Sequence, residues 1–216
     1  MSARKAAALG EGHTLREHLV ATAERLLGRH GAANLTVRAI AREAQVADGV
    51  LYNHFADKEE LLALALHAHV RTVQQSLPPL PSRAGHGDLE DNLRAYVTYG
   101  VRLHLAILPA FAGLLAQPAV LARFAELGNP MGQGRGLHAE LTAYLGAEQA
   151  LGRLSPEAHP DAAATMIVGA CHELILPRLF TGDSVADIEV PPKFVDHLVS
   201  TCLHGITLAP RQESSR

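Results

Sequence analysis

The chain has 216 residues, of which 48% are apolar, and a formal net charge of −3. That length accommodates one large domain or a small domain joined to a larger one, with enough apolar residues for a real core. No uninterrupted apolar run of about 18 residues indicates a membrane span, and the opening MSARKAAALGEGHTLREH lacks the apolar region of a secretory signal. Cys171 and Cys202 read as buried thiols rather than a disulfide, so the expected location is the cytoplasm, with no membrane partner. Aromatics are only 4% and Trp is absent, leaving Ala and Leu, both helix formers, to supply the bulk. The predicted fold class is all-α.

Residues 1–13 are expected to be a disordered tail. Thr14-Leu15-Arg16-Glu17 has the spacing of a capping box. Leu15, Leu19, Ala23, Leu26 and Leu27 then recur at helical intervals up to a stop at Gly31. Thr36 can cap a second helix with a stripe of Val37, Ile40, Ala41 and Ala44. A short third helix is predicted from Asp48 to about Phe55. Its Val50, Leu51 and Phe55 can pack inward while Gly49, Tyr52 and Asn53 face out, and the helix dipole favours a carboxylate at Asp48. Two short helices joined by a tight turn, the second with a polar outer face, form a helix-turn-helix. Asp57, with Glu60 three residues on, caps a fourth helix reaching about Gln75.

Residues 76–88, SLPPLPSRAGHGD, are the clearest break in the chain. It separates a unit at 14–75 from a helical unit at 76–208, with a tail at 209–216. The predicted helices of the second unit are about 89–105, 109–117, 119–128, 134–150, 161–180 and 193–208, punctuated by prolines. The Gly-rich stretch 128–136 reads as a mobile loop. Charge is uneven: residues 1–75 carry nine Lys/Arg against eight Asp/Glu, and the remainder ten against fourteen. The N-terminal third is thus less acidic, which suits a nucleic-acid partner.

The run LTVRAIAREAQVADGVLYNHFADKEELL resembles the DNA-binding domain of TetR-family transcriptional regulators, over about Thr14 to Leu66. The resemblance implies an N-terminal three-helix reading head followed by a helical domain for ligand binding and dimerisation. It also implies a homodimer, formed through the helices at about 161–180 and 193–208, on a palindromic DNA operator. A small molecule would release the DNA, making the chain a ligand-responsive repressor. Thr36, Tyr52, His54 and Lys58 fall where family members meet phosphates, and Arg38, Gly49, Val50 and Asn53 where bases are read. The sequence departs from the family at Ala47, where Ser or Thr often caps, and at Asp48, where a neutral or basic residue is common. Asp48 either caps the recognition helix, the preferred reading, or accepts from a cytosine amine.

Tyr96, Tyr99, His104, Phe111, Met131, His138 and His172 bring aromatic or polar handles into the apolar helices and are the candidate ligand-binding residues. Few charges accompany them, which points to a mostly apolar effector. Thirteen histidines raise the alternative of a helical metal- or small-molecule-binding protein or enzyme with a non-functional reading head. However, His172-Glu173-Leu174-Ile175-Leu176 lacks the second His that a zinc-protease helix needs four residues on. No catalytic residue, metal ligand or cofactor is assigned.

Overall fold

A computed structural model describes residues 14–31, 35–81, 83–128, 136–181 and 188–206. Both expected tails lie outside these residues, as does most of the Gly-rich stretch, including Met131. About 74% of the described residues are helical and none of them lies in a strand, so the fold is all-α.

The first helix, α1 (Leu15–His30), starts where the capping box places it. Thr14 Oγ1 accepts from the Glu17 N–H (3.3 Å), and Glu17 Oε2 accepts from the Thr14 N–H (2.7 Å). Gly31 ends it with φ 64°, donating its N–H to the Leu27 carbonyl. Thr36 caps α2 (Val37–Glu43), accepting from the Ala39 N–H at 3.1 Å. The turn after α2 is a Schellman motif: the Val46 N–H donates to the Ala41 carbonyl (2.9 Å) and the Gln45 N–H to the Arg42 carbonyl (3.2 Å). Gln45 takes the left-handed position, φ 57°, that glycine usually occupies.

The third element is a 3-10 helix, Asp48–Asn53, two residues shorter than predicted. Six residues suit the tighter winding, which is used in short pieces. The next helix, α3 (Lys58–Ser76), starts at Asp57, whose Oδ1 accepts from the Glu60 N–H at 2.8 Å. Glu60 does not close a reciprocal box with Asp57; its Oε2 accepts from the Ala56 N–H instead (2.7 Å).

Beyond the break come α4 (Leu89–Leu114), α5 (Pro118–Glu126), α6 (Leu137–Ala150), α7 (Pro160–Thr181) and α8 (Phe194–His204). The predicted division between 105 and 109 is overturned, because α4 runs straight through Pro109. A proline inside a helix forfeits one backbone hydrogen bond. Ile107, Ala110 and Leu114, all buried, continue the apolar face across that turn, so packing outweighs the loss. The last helix stops short of residue 208, at Gly205, with φ 73°.

The α3 helix packs along α1 on one side and against α5 and α4 on the other, joining the two parts of the chain. Buried side chains run continuously from Leu19 to Val199. Gly100 permits the close approach of α4 to α6 and α7: a Cβ there would meet Leu137 Cδ2 at 2.9 Å and Cys171 Sγ at 3.1 Å.

The described residues between α3 and α4 form no helix, yet they are stitched to their neighbours. Tyr96 donates to the Pro81 carbonyl (2.9 Å) and Asn92 to the His86 carbonyl (2.9 Å). Glu148, fully buried in α6, accepts from the Gly85 N–H (3.2 Å) and pairs with Arg153 at 3.1 Å. Arg153 also donates to the Gly87 carbonyl (2.8 Å). Removing one partner of a buried ion pair strands the other charge away from water. Arg153→Ala is therefore expected to lower stability by about 3 kcal/mol in urea unfolding. Adding Glu148→Gln should recover part of that loss.

Candidate nucleic-acid interface

The 3-10 helix carries its apolar residues on one side. Leu51 and Phe55 are buried, Val50 is half-buried, and Gly49, Tyr52 and Asn53 are exposed. Tyr52 has 63% of its surface exposed, although its ring is large and apolar. A Cβ built on Gly49 meets nothing within 4 Å, so no intramolecular packing demands glycine there. Across the turn, Arg38 is 90% exposed on α2, and the Thr36 side chain is exposed at the start of the same helix. His54 and Lys58 are half-buried at the far end. The eight predicted residues thus lie on the 3-10 helix and at the adjoining ends of α2 and α3.

The structure corrects the reading of Asp48 as a cap. The N-cap position belongs to Ala47, and no side chain caps this helix. Asp48 lies in the first turn, and its Oδ2 faces Arg38 Nε at 3.6 Å.

Residues 19–65 match the family described as bacterial regulatory proteins, tetR family. The match covers about a fifth of the chain, so the likeness lies in this N-terminal segment. The chain is 35% identical over 63 residues to the HTH-type transcriptional regulator HbdR of Aromatoleum sp. (strain CIB), a match spanning 29% of this chain and 28% of that protein. To the HTH-type transcriptional repressor NemR of Escherichia coli (strain K12) it is 32% identical over 84 residues, 39% of this chain and 42% of the relative. These matches span less than half the length of either relative. The fold extends further: the transcriptional regulator FadR from Bacillus subtilis, solved in complex with stearoyl-CoA, superposes with a TM-score of 0.55 at 16% identity. That likeness covers 88% of this chain and 98% of the other.

The candidate ligand residues fall in separate places. His104, buried in α4, and His172, half-buried in α7, meet edge to face with their Nε2 atoms 3.1 Å apart. Tyr96 is buried against Tyr144, ring centroids 5.2 Å apart, with its hydroxyl committed to the Pro81 carbonyl. Tyr99 is half-buried one turn from Tyr96. Burial, with Glu140 nearby, raises both phenols above their ordinary pKa. Phe111 packs edge-on against Phe124 of α5, 5.3 Å away. His138 lies 2.9 Å from Thr165 Oγ1. Among the described residues, no group of three or more His, Cys, Asp or Glu could hold a metal ion.

Three contacts that sequence reasoning did not find hold the reading head in place. Arg16 of α1 donates from Nη2 to Glu60 (2.6 Å) and from Nε to the His54 carbonyl (3.3 Å), and its guanidinium lies 4.9 Å from the Phe55 ring centroid. The second oxygen of Asp57 accepts from Arg123 Nη2 of α5 (2.6 Å). Lys58 Nζ reaches Gln117, the residue that opens α5, at 3.4 Å. None has a local sequence signature, because the partners are 44, 66 and 59 positions apart.

The paired imidazoles set a pH dependence. Burial, reinforced by His172, lowers the pKa of His104 to about 4. Folding thus favours its neutral form, and below the unfolded value of 6.5 the unfolded chain binds the extra proton. Stability should rise with pH between about 4 and 6.5. We expect the His104 contribution to fall by about 2 kcal/mol from pH 7 to pH 5 in urea unfolding, and His104→Leu to flatten that part of the profile.

Proposed function

We propose that this chain is a ligand-responsive transcriptional repressor that binds a palindromic operator as a homodimer and is released by a mostly apolar small molecule. The observation that carries the reading is the two-sided 3-10 helix, buried through Leu51, with Phe55 buried just beyond its end, and open through Gly49, Tyr52 and Asn53. Thr36, Tyr52, His54 and Lys58 supply hydroxyl, imidazole and ammonium groups to phosphates. Arg38, Gly49, Val50 and Asn53 meet base edges in the major groove, with Arg38 suited to guanine and Asn53 to adenine. The working location is the cytoplasm, where such an operator lies.

The homodimer is supported by α7. Both α4 and α7 are long and apolar enough to cross a membrane by length and composition, each with a window of mean hydropathy 1.3. That window of α4 is 44% buried and that of α7 only 22%. Met166 and Phe180 on α7 are 56% and 69% exposed, and a Cβ on Gly169 meets nothing. An apolar face of this extent with small residues fits a second copy of the same helix pair. The mass in solution is expected to be twice that of one chain, measured by light scattering. The apolar effector is supported by the low charge of the central helices.

Anisotropy binding to DNA from around the protein's own gene, titrated in salt and against random competitor, tests the proposal. Binding should survive competitor and weaken steeply with salt. Tyr52→Ala and Lys58→Ala should weaken binding on every sequence, and Lys58→Ala should reduce the salt slope by about one. Asn53→Ala should relax sequence choice at one position by about 1–3 kcal/mol; equal loss on specific and random DNA would remove it from base reading. Gly49→Ala should leave the thermal midpoint unchanged or higher and still impair DNA binding, because its Cβ meets nothing inside the protein.

A further inference from the structure

An acidic side chain on a DNA-reading face repels phosphate on every sequence, so Asp48 needs a reason to be there. Capping is not that reason, since the N-cap is Ala47 and no side chain caps the helix. Fold stability supplies only a small reason, because the dipole of so short a helix favours a first-turn carboxylate weakly. Asp48 is 57% exposed, and ion pairs between exposed groups add little. What the structure does show is the carboxylate of Asp48 facing the Nε edge of Arg38 across the helix-turn-helix, at 3.6 Å.

That contact has two consequences. It sets a carboxylate against the Nε edge of a long, 90% exposed side chain and leaves the two terminal nitrogens of the guanidinium to face another acceptor pair. Guanine offers such a pair, O6 and N7, in the major groove. It also leaves a carboxylate, which can only accept, beside the guanidinium, which can only donate. In the major groove, cytosine N4 and adenine N6 are donors, whereas guanine O6 and thymine O4 are acceptors. An acceptor-only group therefore rejects guanine and thymine at the position it faces, and cytosine, whose amine stands without a neighbouring acceptor, suits it best.

We propose that Arg38 and Asp48 form one specificity-determining unit, in which Arg38 reads a guanine and Asp48 both positions Arg38 and selects cytosine at the neighbouring position. The unit gives up some affinity for all DNA, through its negative charge, in exchange for discrimination. The proposal rests on the DNA-binding reading above.

The test is selection from random duplexes by the full-length chain, for the wild type, Asp48→Asn and Arg38→Ala, followed by anisotropy on the selected site and on random DNA. Both side chains are exposed, so the variants should keep the wild-type thermal midpoint. The wild type should enrich a half-site in which guanine and cytosine occupy the adjoining positions. Asparagine both donates and accepts, so Asp48→Asn should reduce the cytosine preference about tenfold while binding random DNA several-fold more tightly. Arg38→Ala should lose the guanine. A wild-type motif that Asp48→Asn leaves unchanged, with specific and random binding strengthened equally, would reduce Asp48 to a source of repulsion and overturn this inference alone. A wild-type chain that enriches no motif would overturn both the inference and the reading beneath it.

Discussion

A 3-10 helix of six residues closes too few hydrogen bonds to persist alone. Its existence here depends on the burial of two side chains, Leu51 and Phe55, against the helices around it. Each is worth about 1.5–3 kcal/mol when fully withdrawn from water. The rest of the reading head follows from keeping those two in place. The Schellman turn sets the angle at which the helix leaves α2, and Val46 locks it by donating back to Ala41. Arg16 closes the far end, holding Glu60, the His54 carbonyl and the Phe55 ring with one guanidinium. Because the inner face is used for anchoring, the outer face can carry the exposed Gly49, Tyr52 and Asn53.

The same economy applies where the two parts of the chain meet. Asp57 caps α3 with one oxygen and receives Arg123 with the other. Lys58, one residue on, reaches Gln117. Asp57 adjoins the proposed DNA face and Lys58 belongs to it, and both partners lie on or beside α5. A shift of α5 against α3 therefore acts on the first turn of α3 directly, with no need for a relay through the core. Phe111 and Phe124 pack across α4 and α5, so rearrangement of the apolar helices reaches α5 by simple contact.

Features that depend on neighbours in sequence were legible from the sequence. The caps at Thr14, Thr36 and Asp57 and the stop at Gly31 are all settled within three or four residues, and each stands where the spacing put it. The inward Leu51 and Phe55 and outward Tyr52 and Asn53 were legible for the same reason. Pro109 was misread because local preference said stop while burial of Ile107, Ala110 and Leu114 said continue, and burial is a property of the assembled fold. Asp48 was misread because Arg38, its partner, stands ten positions away across a turn whose geometry is not written in either residue. The grouping of His104 with His172, and the separation of Tyr96 and Phe111 from them, could not have been deduced from helical periodicity, which ranks faces but does not pair helices.

The bond between Asp57 and Arg123 also bears on how freely such proteins can be recombined. The reading head looks like an interchangeable part, with its own caps, turn and small core. Yet one oxygen of its third cap is satisfied by the other half of the chain. A head grafted onto a foreign body would arrive with Asp57 and Lys58 but without Arg123 and Gln117. Its attachment would then rest on whatever α5 the new host supplied. Chimaeras of this protein should be cut so that those four residues travel together, along with the contacts of His67 with Phe124 and of His69 with the Ala106 carbonyl across the same joint.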